Sequence, residues 1–523
     1  MEFEQPTFPD DFNMADYFVF SNVAAGRGDK TAIIFEGRAI SYNEVARNVL
    51  RVAECLIGSG LLPEQRVLLC MRDCPEFVYA WFGALKAGAV VTQVNPFLPQ
   101  SDYEYYLAYV KPQFAFIDDA SATAFDTALS KSRHCGAGSN VVCVGSASAH
   151  KPFDVWLAEA PKTGLDPWPT RRDDPAVWLF TSGTTGQSKG AVHSHFHFPY
   201  NTEVYAKNFI GMNEGDLTIS GARLFFGYAT GTNLMFPFAV GATTILFREQ
   251  PTAELLFGLI EKHRPTVLTS VPTLINKMLE ASTTAKADLS SLRFMWSAGE
   301  ALPLDLHERW SRKFGVPIID GIGSAESFHI YISNRLGDIR PGSLGKLVPG
   351  YEARLLNDSG GPVDQGDVGT LWLKGDSAAL YYHGAYEKSK EHLRGGWIVS
   401  GDKFRQDPDG YWYYEGRGDD LIKSGGIYVS PFEVENCLIQ HDAVSECCVI
   451  ARKDSAGLEK PLAVIVLRDN FVPSQALEVE LVDFVKQRLA RYKAPHWIAF
   501  SETTLPRNDR DKIDRKSLRA RHA

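Results

Sequence analysis

The stretch Phe180–Gly190, FTSGTTGQSKG, carries three glycines, five hydroxyls and one lysine in eleven residues. Gly183, Gly186 and Gly190 let a backbone turn tightly and bring its N–H groups close to a ligand. Thr181, Ser182, Thr184, Thr185 and Ser188 supply hydroxyl donors, and Lys189 supplies a point charge. That mixture suits a polyphosphate. Two other motifs overlap it. A Walker A loop needs G-x-x-x-x-G-K-[ST], but Gln187 and Ser188 separate Gly186 from Lys189. Gly186–Gly190 does match G-x-S-x-G, the hydrolase nucleophile elbow. An elbow serine sits on the sharp turn directly after a strand. Ser188 lies eight positions past Phe180, which disfavours the hydrolase reading.

Further clusters follow downstream. Ser297-Ala298-Gly299-Glu300-Ala301-Leu302-Pro303 is rich in small residues that let a flat ring approach the backbone. Asp320-Gly321-Ile322-Gly323-Ser324-Ala325-Glu326 ends in a carboxylate suited to Mg²⁺, a hard ion that takes carboxylate and phosphate oxygens. The alternative for Glu326 is an acid complementing a helix N-terminus. Asp402, in Ser400-Gly401-Asp402, is placed to accept from ribose hydroxyls or to serve a turn. Taken alone, Lys512 reads as a solvated lysine in a polar tail. His193, His195 and His197 have strand-like metal-ligand spacing, but a helix is expected there and would scatter them.

The elements needed to position these groups are legible. Ala176–Phe180 reads as a buried strand that delivers the glycine-rich loop. Arg66–Cys70, Pro75–Gly88 and Ala89–Val94 read as strand, helix and strand, with proline early in the helix and glycine at its end. That unit is the mark of parallel α/β architecture. Gln113–Asp118, Thr243–Phe247, Thr266–Ser270, Leu292–Trp296 and Pro317–Ile319 continue it. The glycine-rich clusters therefore fall at C-terminal ends of strands, where open α/β sheets bind ligands. After about Gly360 the texture changes to aromatic strands and Gly/Asp turns, including Asp407–Gly410 as a hairpin turn into Tyr411–Tyr414. Arg417-Gly418-Asp419-Asp420 reads as a boundary. The expected division is a large α/β domain over residues 1–418 and a small α+β domain over 419–523.

Bulk properties exclude several classes. A chain of 523 residues exceeds what one core usually supports. A net charge of −9 argues against a nucleic-acid binder. Eight cysteines without paired C-x-x-C spacing suggest reduced thiols in a cytoplasmic protein. The N-terminus MEFEQPTFPDDF lacks a cationic start and an apolar core, so no signal peptide is expected. No run approaches 18 apolar residues, so no membrane span is expected.

Taken together, the motifs resemble the adenylate-forming superfamily of acyl-CoA synthetases, luciferase and peptide-synthetase adenylation domains. FTSGTTGQSKG, SAGEALP, GIGSAES, SGD, YEGRGDDLIKSGGIYVSPFEVE and LPRNDRDKI occur in the family's order over nearly the whole chain. KAGAVVTQVNPFLPQSDYEYYL, ARLFFGYATGTNLMFPFAVGA, ESFHIYISN and KSGGIYVSPFEVE look most like its benzoate–CoA ligase branch. The resemblance implies ATP, Mg²⁺ and coenzyme A as cofactors, an aromatic carboxylic acid as substrate, and a monomer or homodimer. It implies that Thr181–Lys189 wraps the β- and γ-phosphates. Gly299, Glu300 and Ala301 would flank adenine, with Asp320, Gly321 and Ile322 opposite. Glu326 would bind Mg²⁺, and Asp402 and Arg417 the ribose. Lys512 would bridge the acid and the α-phosphate, Asp419 would be the hinge, and the loop Lys423–Gly426, with Gly425, would guide the thiol. The acyl pocket would draw on Phe226, Gly227, Tyr228, Phe236, Ala298, Gly321, Gly323, His329 and Ile330. For His329 a satisfied helix histidine is the alternative, and for Phe225, Phe226 and Tyr228 ordinary core.

The chain departs from the family at two positions. Ala325 stands where most relatives have threonine, and Asp511 where they have glycine before the lysine. A slower or specialised ligase is the expectation. A carrier protein's phosphopantetheine arm in place of CoA and a non-catalytic nucleotide binder are the competing readings.

Overall fold

The computed structural model describes residues 3–132, 140–145, 150–161, 167–182, 187–282, 287–418, 420–424, 427–455, 458–507 and 513–522. Two large sheets form its centre. In one, the parallel strands Val141–Val144, Phe114–Asp118, Arg66–Cys70, Val90–Gln93 and Pro175–Ser182 lie side by side in that order. The expected strand–helix–strand unit is present, with its helix over Pro75–Lys86 and Pro75 in the first turn. That helix is apolar on every side and crosses the helix Tyr42–Gly58 closely. A Cβ at Gly83 would lie 2.4 Å from Val52 Cγ1, so only glycine permits the crossing. Ser41 caps the second helix by accepting from the Glu44 N–H at 3.2 Å.

A helix is expected at His193, His195 and His197; instead Ser188–Ser194 is a strand, and the helix begins only at His197. The strand folds back antiparallel on Pro175–Ser182, with Phe180 opposite Gly190 and Thr181 opposite Lys189. Gly190 rests on the Trp178 ring, which a larger residue would displace. Pro175–Ser182 is therefore followed by a paired strand rather than by a helix. The second large sheet runs Ile318–Gly323, Phe294–Ser297, Val267–Ser270, Leu217–Ser220, Thr243–Leu246 and Thr31–Phe35 in parallel, with the antiparallel strands Ile330–Ser333 and Lys346–Leu347 at one edge. The largest apolar core joins residues of both sheets to the helices between them, including Trp81, Phe198, Tyr205 and Trp296. Burial of that area is the dominant favourable term.

A smaller antiparallel sheet holds Gly369–Lys374, Trp397–Gln406 and Trp412–Arg417. The Asp407–Gly410 turn forms as expected, closed by Asp407 N–H donating to Tyr411 O at 2.9 Å. Ser400-Gly401-Asp402 does not end its strand, which continues to Gln406. Beyond it, Val444–Lys453, Glu459–Leu467 and Trp497–Ser501 make a three-stranded sheet with a core of its own. The helices Pro431–Leu438 and Gln475–Arg488 cover it, capped by Ser430 and Ser474.

The last helix, Arg515–His522, is tied down by charge. The Arg515 guanidinium grips Glu435 at 2.6 and 2.7 Å and donates to Val449 O at 2.8 Å. Arg515→Ala leaves the Glu435 carboxylate with the Val449 N–H at 2.5 Å but without the guanidinium, and the expected cost is about 2 kcal/mol, the scale of losing charge-assisted hydrogen bonds. Urea unfolding of the small C-terminal region will show a lowered midpoint, with Arg515→Lys recovering only part because it lacks the fork.

Candidate active site

Two cavities meet beneath the end of strand Ile318–Gly323. One, of about 520 Å³, is walled by Thr181, Lys189, Glu326, Tyr382, Asp402 and Arg417 among others. The second, of about 250 Å³, is walled mainly by Phe225, Phe226, Gly227, Tyr228, Ala298, Gly299, His329 and Ile330. Phe180, Gly323, Ser324 and Ala325 belong to both. One compartment is polar and charged, and the other is aromatic.

The chain between the cavities is built for close approach. A Cβ at Gly323 would lie 2.5 Å from His329 O, and one at Gly321 would lie 2.9 Å from Ile332 O. Only glycine lets Ile318–Gly323 and Ile330–Ser333 pair so tightly. Ser324 and Ser327 cap the single helical turn Ala325–Ser327 reciprocally. Phe328 then takes a left-handed backbone with φ of 68°, unfavourable for a bulky residue. Its ring lies flat on Phe198, centroids 3.5 Å apart. This kink sends Glu326 to the polar cavity and His329 to the aromatic one. His329 lies in the link before a strand, not in a helix.

In the polar cavity, the Tyr382 hydroxyl donates to Glu326 Oε1 at 2.7 Å. Burial and the Glu326 charge both raise the Tyr382 pKa, so it remains a donor. The Lys189 ammonium sits 5.8 Å over the Tyr382 ring. Burial, then repulsion from Lys388, holds Lys189 below its ordinary pKa. Asp402 and Arg417 are direct cross-strand partners, with Arg417 Nε 3.9 Å from Asp402 Oδ1. Burial raises the Asp402 pKa, opposed by Arg417.

In the aromatic cavity, His329 Nε2 donates to Tyr228 O at 2.9 Å, since a carbonyl can only accept. Burial lowers its pKa to about 4, so the ring is neutral at pH 7. Gly231 makes room for it, since a Cβ there would lie 2.2 Å from His329 Cδ2. Phe236 does not line the cavity. It packs behind His329 with ring centroids 4.6 Å apart and is fully buried.

Other anticipated residues are placed less directly. Gly299 lines the aromatic cavity with φ of +84°. The Glu300 carboxylate accepts from Thr273 N and Oγ1 at 3.1 and 2.9 Å, capping the helix Pro272–Ala281. Ala301, Asp320, Gly321 and Ile322 line neither cavity. Gly183, Thr184, Thr185, Gly186, Asp419, Gly425, Gly426 and Lys512 lie outside the described residues, as do the side chains of Ser182 and Lys423. The three histidines stand on the hairpin strand and its exit, all buried. His193 Nε2 donates to Ala325 O at 2.7 Å, and His195 Nδ1 accepts from Met14 N at 3.1 Å. Among the described residues no group of three or more His, Cys, Asp or Glu is arranged to hold a metal.

Several residues of the site escape sequence reasoning. Gln93 borders the aromatic cavity, accepting from Trp81 Nε1 at 2.8 Å and donating to Thr230 Oγ1 at 2.7 Å. Tyr382, Lys388, Glu391 and His392 reach the polar cavity because Tyr381–Tyr382 pairs with Ala191–Val192. No local pattern signals a pairing across some 190 residues.

The fold is α/β, with a charged compartment opening onto an aromatic slot, and sequence comparison places it in a family. Residues 20–383 match the AMP-binding enzyme family, and residues 433–512 match the AMP-binding enzyme C-terminal domain. The chain belongs to the AMP-binding enzyme family. It is 40% identical to the benzoate–CoA ligase of Thauera aromatica over 98% of this chain and 96% of that protein. It superposes on an anthranilate CoA ligase in complex with anthranoyl-AMP with a TM-score of 0.92 and 37% identity, covering 98% of each chain. A benzoate CoA ligase from Burkholderia xenovorans aligns with a TM-score of 0.87 and 39% identity over 97% of this chain and 100% of that one. No helix among the described residues is long and apolar enough to cross a membrane.

Asp320 carries a pH consequence. Burial pushes its pKa up to about 8, against smaller pulls from Ser297 and the Gly321 amide. The folded state therefore favours the protonated acid. Its stabilising effect is full below the ordinary carboxylate pKa and is lost as pH rises through about 8. Wild type should lose stability over that window at up to about 1.4 kcal/mol per pH unit. Asp320→Asn should flatten the slope in urea midpoints measured from pH 5 to 9.

Proposed function

We propose that this protein is an aryl-CoA ligase. The carrying observation is the meeting of an aromatic slot with a charged cavity at Gly323–Ala325. The reading is that ATP and a benzoate-type acid (benzoate, 2-aminobenzoate or a hydroxybenzoate) bind in these two compartments. A carboxylate oxygen attacks the α-phosphorus, the bond to the β-phosphate breaks, and aryl-AMP and pyrophosphate form. The CoA sulfur then attacks the acyl carbon, expelling AMP and leaving a thioester. The 40% identity to a benzoate–CoA ligase and the likeness to an anthranoyl-AMP complex support this assignment.

The slot supports an aromatic ring by its shape and its charge. Phe226 and Tyr228 offer ring faces, Gly227 and Ala298 keep the walls thin, and His329 is neutral. Lys189 and the loop Thr181–Gly186 would bind the β- and γ-phosphates, and Asp402 with Arg417 the ribose. Gly299, Glu300 and Ala301 would face the adenine across from Asp320, Gly321 and Ile322. Glu326 fits Mg²⁺, because its carboxylate is a hard oxygen donor on the wall of the charged cavity, already oriented by Tyr382. The ion would neutralise charge accumulating on the phosphates.

A carboxylate is a poor nucleophile toward an anionic phosphate, so the reaction needs in-line placement and charge cancellation. Lys512 is the proposed cation between the acid and the α-phosphate. It belongs to the small domain, residues 419–523, proposed to rotate about Asp419 between half-reactions. The rotation would withdraw Lys512 and bring the Lys423–Gly426 loop, with Gly425, to the CoA thiol.

The first test is thioester formation dependent on ATP and CoA across a panel of aryl and fatty acids, with pyrophosphate release followed in parallel. A strong signal with a benzoate supports the reading. Pyrophosphate without CoA thioester points to a carrier protein as acceptor, and silence in both assays overturns the reading. Lys512→Ala should slow adenylate formation by about 10²- to 10³-fold, the scale of one preorganised charge donor. Thioester formation from pre-made aryl-adenylate should persist, and an equal fall in both steps would remove Lys512 from its assigned role.

A further inference from the structure

We infer that Lys388 is a second cation for the pyrophosphate end of the nucleotide, held by Glu391 until the polyphosphate arrives. This rests on the ligase reading above. Lys388 and Glu391 lie three residues apart on the short helix Tyr386–His392, with Lys388 Nζ 2.5 Å from Glu391 Oε2. Both line the cavity that also contains Thr181, Lys189 and Glu326. Neither residue belongs to the glycine-rich loop.

The position of Lys388 is tied to that loop and to Glu326 through hydrogen bonds. Tyr381 and Tyr382 pair antiparallel with Val192 and Ala191, on the strand that leaves the loop. His383 N–H donates to Gly190 O at 2.9 Å. The Tyr109 hydroxyl donates to His383 O at 2.5 Å and accepts from Gly190 N at 3.2 Å. Ser389, adjacent to Lys388, accepts from Tyr382 N at 3.0 Å and donates to Ala385 O at 2.9 Å. Tyr382 in turn holds Glu326. One hydrogen-bonded unit thus carries Lys388 beside both the loop exit and the proposed magnesium ligand.

Two ammonium groups sharing one cavity wall repel each other, and a polyanion relieves that repulsion. Lys189 feels Lys388, with Glu391 and Glu326 acting in the opposite sense. The present partner is easily exchanged. The Glu391 side chain is 50% exposed and that of Lys388 35%, so their ion pair is a weak surface one. Phosphate oxygens bearing more charge offer Lys388 stronger contacts, while Glu391 regains water. Lys388 therefore moves from Glu391 to the terminal phosphates as ATP binds, and stays with pyrophosphate until it departs.

The test uses the full-length protein with the aryl acid that gives the strongest wild-type signal. ATP–pyrophosphate exchange yields KM for ATP and for pyrophosphate, and calorimetry gives ATP binding directly. Lys388→Gln should raise both KM values about tenfold, the scale of one charge-assisted contact, with Lys388→Arg restoring most of the loss. Glu391→Gln, which frees the ammonium, should lower both. KM for CoA serves as an internal control, since a general loss of structure would raise it too. KM values within twofold of wild type in Lys388→Gln, or weaker binding in Glu391→Gln, would overturn the inference. If wild type shows no exchange with any acid, the ligase reading fails, and calorimetric ATP binding by Lys388→Gln then decides the role of Lys388 alone.

Discussion

The backbone contact between Ile318–Gly323 and Ile330–Ser333 sets the arrangement of the site. No side chain fits between these strands at Gly321 or Gly323. The connection is therefore short, one helical turn and a kink, and it delivers Glu326 and His329 to opposite compartments within four residues. Phe328 holds an unfavourable φ, a conformation that costs on the order of 1–3 kcal/mol. Stacking on Phe198 and full burial of its surroundings offset that cost. The boundary between the aromatic and charged regions is thus a piece of rigid backbone.

That boundary also governs where charge can go. Burial holds His193 at a pKa of about 4, His195 at about 3 and His329 at about 4, so each is a neutral imidazole at neutral pH. Among the described residues that line it, the aromatic slot then contains no cation to receive an acid's carboxylate. Burying an unpaired carboxylate there is costly. On the ligase reading, the ring enters the slot and its carboxylate remains at the shared edge, facing the phosphates. Orientation follows from solvation as much as from shape.

Much of this was legible in the chain because it depends on local chemistry. The apolar strand before the glycine-rich stretch is plain in the sequence, and the small residues Ala298, Gly299 and Gly323–Ala325 at strand ends mark the walls of the cavities. The parts that escaped depend on contacts between distant segments. Ser188–Ser194 lacks a decisive periodicity, and its pairing with Pro175–Ser182 overrides the expectation of a helix. Phe236 has the right type for a pocket wall, but His329 occupies the space before it. Ser400-Gly401-Asp402 has turn-like composition and still continues as a strand, because Asp402 pairs across to Arg417. Tyr382 and Lys388 come to the site only through a strand added from far along the chain.

The same dependence on distant contacts shapes the C-terminal region. Arg507 and Ile513 pair as an isolated antiparallel bridge. Two residues beyond that bridge, Arg515 is fixed to Glu435, and Arg519 reaches Asp420 at 2.5 Å. Asp420 is the neighbour of the proposed hinge residue. The two ion pairs hold the last helix both to Glu435 and to the chain at Asp420, so this end of the protein is fixed by charge at two separate points.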